Sequence, residues 1–146
     1  MAQTENMLII VNSIEPYSQF ATYLDAFMAK NLGNVPKVTI FYGPKCISLT
    51  KKGELAKITI PDEMKELIAG QFEGLSSSDL PDNLEQMARF QKNELGVAIA
   101  SCGTANVIEG LAKTIDDTSN IEDFIVPLKL PQVWEAIDGA DKTLFW

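Results

Sequence analysis

The sequence predicts an α/β protein, a single-domain parallel sheet with helices on both faces. Three observations point there. Short apolar, β-branched runs alternate with segments of helical spacing. The stretch between the first two runs is long enough for the crossover that parallel neighbours require. A length of 146 residues fits one domain, 1–146.

Residues 7–13 (Met-Leu-Ile-Ile-Val-Asn-Ser) read as a fully buried strand ended by polar residues. Pro16 suits a first helical turn. Phe20, Tyr23, Leu24, Phe27 and Met28 then recur at helical spacing until Gly33 stops the segment. Residues 37–42 (Lys-Val-Thr-Ile-Phe-Tyr) read as a second buried strand, closed by Gly43-Pro44. Two such strands and their crossover imply a right-handed parallel unit. Residues 46–53 read as irregular or shortly helical, and 55–60 as a short strand. Residues 61–70 read as a helix opening on Pro61, with Asp62 and Glu63 in its first turn.

The serine-rich stretch 74–79 is a loop inside the domain. Residues 80–95 form a helix with Leu84, Met87, Ala88, Gln91 and Leu95 along one side, ended by Gly96. Residues 97–100 (Val-Ala-Ile-Ala) are a third buried strand, 101–104 a turn, 105–113 a short helix and 116–120 a polar loop. Residues 121–126 are open between strand and coil. A helix over 131–138 and a last short strand over 143–146 complete the order. Trp134 and Trp146 read as packing residues, and the Leu-Phe-Trp ending as a candidate oligomer surface.

Composition removes several function classes. The net charge of −8 excludes a basic surface for nucleic acid and disfavours an anionic membrane. The longest apolar runs are strand-sized, and residues 1–6 lack the basic and apolar regions of a signal peptide. A cytoplasmic location with no membrane contact is the expectation. Two cysteines far apart do not make a disulfide framework. The absence of histidine removes Ser/His/Asp and Cys/His catalysis and most zinc or haem sites. No phosphate-binding glycine motif and no calcium-loop spacing are present, so neither cofactor nor metal is expected. What remains is chemistry by carboxylates, lysines, hydroxyls, backbone amides or thiols.

Ligands of open parallel sheets bind beyond the carboxyl ends of the strands. Residues 12–15, 43–46 and 101–104 fall there, and both cysteines are among them. Cys102 follows a buried strand and precedes a helix, whose unpaired N–H groups stabilise a thiolate or, equally, a persulfide anion. Gly103 is expected to remove bulk beside the sulfur, and Thr104 to cap the helix. The alternative is a buried cysteine acting as a small apolar residue. Cys46 has Lys45, Lys51 and Lys52 close in sequence, which favour a thiolate; the alternative is a half-buried loop residue beside a solvated lysine edge.

Met-Leu-Ile-Ile-Val-Asn opens the chain. Val-Thr-Ile-Phe-Tyr-Gly leads to Ile-Ser-Leu-Thr-Lys-Lys-Gly, and Leu-Gly-Val-Ala-Ile-Ala-Ser-Cys-Gly-Thr leads to Glu-Gly-Leu. Ala-Asp-Lys-Thr-Leu-Phe-Trp closes it. In the order and spacing of these motifs the chain resembles the DsrE/DsrF-like (TusD/DsrE-type) sulfur-relay family. The family's sulfur-carrying cysteine sits in a strand-to-helix loop with a glycine eight residues later, the spacing of Cys102 and Gly110. Glu109 stands where many members have a basic residue, and Ala105 where some have a second cysteine.

The resemblance implies a flavodoxin-like fold and a homotrimer or homohexamer. It also implies a sulfur carrier or sulfurtransferase that forms a persulfide on Cys102 and exchanges sulfur with donor and acceptor proteins. Gly103 and Thr104 would stabilise the anion, with Cys46 and Lys45 as candidate auxiliaries. The competing expectation is a non-catalytic binding or scaffold subunit of such a relay. A nucleotide-binding domain ranks third, for want of a phosphate loop.

Overall fold

The computed structural model describes residues 3–146. The strands are β1 (Asn6–Val11), β2 (Lys37–Tyr42), β3 (Ala98–Cys102), β4 (Val126–Leu128) and β5 (Lys142–Phe145). They form one five-stranded sheet in the order β4-β3-β2-β1-β5, and every pairing is parallel. The helices are α1 (Pro16–Asn31), α2 (Asp62–Ala69), α3 (Leu84–Leu95), α4 (Gly103–Ile108) and α5 (Leu130–Gly139). This is the expected flavodoxin-like α/β domain.

Strand alternation divides the core in two. Met7, Ile9 and Val11 of β1, with Ile40, Tyr42 and Ile99, face α1 and α3. Leu8, Phe41, Ala100 and Cys102 face the other way, toward Ala105 of α4 and Val133 of α5. From β1 to β4 the chain steps steadily across the sheet, then α5 carries it back beyond β1. Reversing the direction of a right-handed crossover places its helix on the opposite face, which is why α5 lies across from α1.

Some elements differ from the expectation. Residues 121–126 resolve into coil followed by β4, a three-residue edge strand that tolerates Pro127 because an edge leaves one side unpaired. Residues 55–60 are not a strand. They form a 3-10 turn, Leu55–Lys57, and one bridge from Thr59 to Asn83. The segment pairs instead with the approach to α3, where Ile60 N–H bonds Asp82 O and Leu84 N–H bonds Ile58 O. Residues 44–50 wind into a 3-10 helix kinked at Cys46.

The helix expected over 80–95 begins only at Leu84, because Asn83 caps it by accepting the Gln86 N–H. The helix expected over 105–113 is α4, which starts earlier and stops sooner. Gly110 adopts φ +79°, and Leu111 N–H reaches back to Asn106 O, a left-handed termination that ends the helix. Trp134 is not a packing residue within the chain. It is 62% exposed, because Val133 of α5 and Ala140 just after it pack on the sheet side and Trp134 turns outward. Trp146 is partly exposed and donates its indole N–H to Asp25 at 2.7 Å.

Candidate functional site at the carboxyl edge of the sheet

The ends of β1, β2 and β3 bring residues 12–15, 43–46 and 101–104 to one edge of the sheet, where they were expected. Asn12 ties the first two together. Its Oδ1 accepts the Lys45 N–H at 2.8 Å. A Cβ on Gly43 would stand 2.6 Å from that oxygen, so the glycine leaves the space in which the Asn12 side chain lies. Lys45 itself is exposed.

Cys102 is the last residue of β3 and the N-cap of α4, with extended backbone (φ −74°, ψ 105°). It is 9% exposed, and its side chain packs with Leu8, Phe41, Ile47, Ala100 and Ala105. The first N–H groups of α4 have no intrahelical acceptor and lie next to it in the chain. At six residues α4 is too short for a large macrodipole, so any anion stabilisation comes from these local amides.

One detail of the expected site changes, and one gains a further reason. Thr104 is not the cap; Cys102 holds that position, and no side-chain capping bond is made. Gly103 also meets a packing demand away from its chain neighbours. A Cβ there would collide with Ile115 Cγ2 and lie 2.9 Å from Leu128 O, so the residue lets the loop after α4 and strand β4 close over the helix start. The eight-residue spacing from Cys102 to Gly110 also acquires a structural meaning: the two residues bracket α4 at its cap and at its terminator.

Cys46 has different surroundings. It is fully buried, not half-buried, and sits in the α1/α3 cluster. Its thiol donates to Val11 O at 3.1 Å. Burial pushes its pKa up to about 11; bonds to the Ser13 and Gly43 backbone and to Gln19 oppose that only in part. The neighbouring lysines do not turn it into a thiolate.

Beneath Cys46 lies a polar chain that the sequence reading missed. Tyr23 and Tyr42 share a hydrogen bond at 2.7 Å. Tyr42 donates to Gln19 Oε1 at 3.0 Å, and Gln19 Nε2 donates to Ser13 O at 2.8 Å. Burial raises the pKa of both tyrosines, so they stay neutral. The available signal was Gln19 and Tyr23 standing one turn apart on the apolar side of α1. A second missed pair is Asn106, whose Nδ2 donates to buried Ser101 at 3.1 Å.

Among the described residues no group of three or more His, Cys, Asp or Glu side chains gathers as a metal site. No helix among them is long and apolar enough to cross a membrane.

No family model matches the chain, and no curated protein matches it. Among solved structures, the crystal structure of the ychN protein from E. coli is similar with a TM-score of 0.64. The match covers 97% of this chain and 99% of that one at 17% identity. That likeness is one of fold.

Proposed function

We propose that this protein is a sulfur carrier or sulfurtransferase of DsrE/DsrF-like type that forms a persulfide on Cys102. The observation that carries the reading is the place of Cys102 at the carboxyl edge of the sheet, between a buried strand and the free amides of a helix start. The resemblance of the ordered sequence motifs supports it, and a shared fold over nearly the whole chain is consistent with it.

The Cys102 thiolate attacks the terminal sulfur of a donor persulfide. A sulfur–sulfur bond forms at Cys102, the donor's sulfur–sulfur bond breaks, and the donor leaves as a thiolate that takes up a proton. An acceptor protein thiolate then attacks the terminal sulfur of the Cys102 persulfide and regenerates the Cys102 thiolate. No outside oxidant or reductant is consumed. The N–H groups of Gly103 and Thr104 hold the anion. Exposed Lys45 supplies positive charge for an anionic donor at the same edge. Cys46, held protonated, is the auxiliary that stays out of the first transfer.

The partners in this reading are donor and acceptor proteins and further copies of the chain, in a trimer or hexamer. The exposed stripe Leu130, Trp134 and Ile137 on α5 is the surface available for assembly.

One observation favours the scaffold reading instead. Cys102 packs among apolar side chains with little surface open to a donor. Intact-protein mass spectrometry after incubation with a polysulfide decides between the two. A gain of sulfur that survives Cys46→Ser and disappears in Cys102→Ser supports the carrier. No gain in the native chain leaves the scaffold.

A further inference from the structure

α1 and α2 flank an apolar cleft that the sulfur chemistry does not use. Phe20, Leu24, Met64 and Ile68 line two adjoining cavities, the outer of about 440 Å³. Leu24 and Ile68 continue into a third, bounded by Met28, Leu32 and Phe72. The cleft therefore follows α1 for most of its sixteen residues, about 24 Å of helix. It persists because α2 is drawn the other way. Lys65 bonds Asp82 at 2.6 Å and Asp62 at 3.2 Å, anchoring α2 to the approach to α3.

The shape and the charges specify an occupant. Tyr17, Leu24, Met28 and Leu32 run along α1 at helical spacing, and Tyr17 (73% exposed) and Leu32 stand open at the two ends. Leu67, 63% exposed, forms the opposite lip. Long apolar grooves with methionine in the wall accept a helix side-on. The charged residues of the two helices are Asp25, Lys30, Asp62, Glu63, Lys65 and Glu66. Both lysines are engaged, Lys30 with Pro36 O and Lys65 with its two aspartates. Glu63 and Glu66 form no ion pair among the described residues.

We propose that the α1–α2 cleft docks an amphipathic helix of a partner protein, apolar on the inward side and flanked by lysine or arginine. A second copy of the chain fits less well: it carries a net charge of −8, and its own exposed apolar helix, α5, bears Glu135 and Asp138. The inference does not rest on Cys102.

The test uses the full chain and a fluorescent Leu/Lys helical peptide of about sixteen residues, titrated by anisotropy. A Leu/Glu peptide of the same pattern is the counter-probe. The Lys peptide should bind at least ~10-fold tighter than the Glu peptide. Leu67→Glu should weaken it by ~10-fold or more. That substitution adds a negative charge, so attraction by charge alone would instead grow stronger. Glu63→Gln should weaken binding a few-fold and flatten its salt dependence. Ile108→Glu, on α4 across the sheet from the cleft and 76% exposed, should leave it unchanged.

Equal binding of both peptides, tighter binding by Leu67→Glu, or an equal loss from Ile108→Glu overturns the proposal. So does self-association, measured by sedimentation, that Leu67→Glu abolishes, because the occupant would then be a second copy.

Discussion

Cys46 and Cys102 stand just beyond or at the ends of adjacent parallel strands, yet the protein treats them in opposite ways. After β2 the chain winds into a 3-10 helix that tucks Cys46 under β1 and against its Val11 carbonyl. After β3 it starts α4 at once and leaves Cys102 at the cap. The clusters are separate too. Cys46 packs on the α1/α3 side, whereas its neighbour Ile47 packs with Cys102 on the other. The edge of a parallel sheet is thus only a location. The next turn of chain decides whether a thiol there becomes core or a candidate nucleophile.

The largest effect separates the two thiols directly. With its pKa pushed up to about 11, Cys46 is ionised in roughly one molecule in ten thousand at neutral pH, and it is fully buried as well. Native-state alkylation followed by peptide mapping should label Cys102 at least ~100-fold faster than Cys46. Equal rates that appear only on unfolding would make both thiols core and break the comparison.

Gly103 tests whether the Cys102 end is as tightly built as it looks. Gly103→Ala drives a methyl group into Ile115 and Leu128 O and should cost about 2–3 kcal/mol in denaturant unfolding. A near-neutral result would mean that the loop after α4 yields easily.

The matching substitution at the Cys46 end is Tyr42→Phe. It removes the donor to Gln19 Oε1 and the acceptor for Tyr23, two buried groups left without partners. The expected loss is about 2 kcal/mol. An unchanged unfolding midpoint would show that the network adds nothing to stability.

The sheet, the order of its main elements and the edge carrying both cysteines were legible in the sequence, because buried strands and crossover helices write their burial into apolar spacing. The short elements were not. β4 has three residues and contains Pro127, too little for a periodic signal. Residues 55–60 have a strand's composition, but their pairing partner, residues 82–84, is brought near only by folding. At the site, Cys102 was legible from its place between a strand and a helix. The roles of Gly103 and Cys46 were not, since they depend on Ile115, Leu128 and Val11, which only folding brings near. Gly110 is intermediate. A glycine ending a helix is readable, and its φ of +79° in open space predicts that Gly110→Ala costs about 1 kcal/mol through backbone strain alone.

The smallest effect concerns the far end of the turn that carries Cys46. Thr50 O accepts the N–H of Glu122, pinning that turn to the loop before β4. Glu122 is nearly fully buried, and its Oε2 has no partner among the described residues. Burial first, then a hydrogen bond and like charge from Glu85, push its pKa up to about 7; the Gly53 N–H and Arg89 pull the other way. Arg89 is itself shared with Asp123 and Glu85 and lies over Phe124.

An acid whose folded pKa lies above its unfolded value contributes most when both states are protonated. Its contribution falls as pH rises from about 4.5, where the unfolded chain ionises, through about 7, where the folded carboxyl does. Glu122→Gln keeps the shape and cannot ionise. Between about pH 5 and about pH 8 its stability should therefore fall less than that of the native chain, with an advantage on the order of 1 kcal/mol at the upper end. Parallel pH curves for the two proteins would place the titrating group elsewhere. A flatter curve with unchanged Cys46 labelling would show that the pin at Glu122 and the shelter of Cys46 are separate features of one turn.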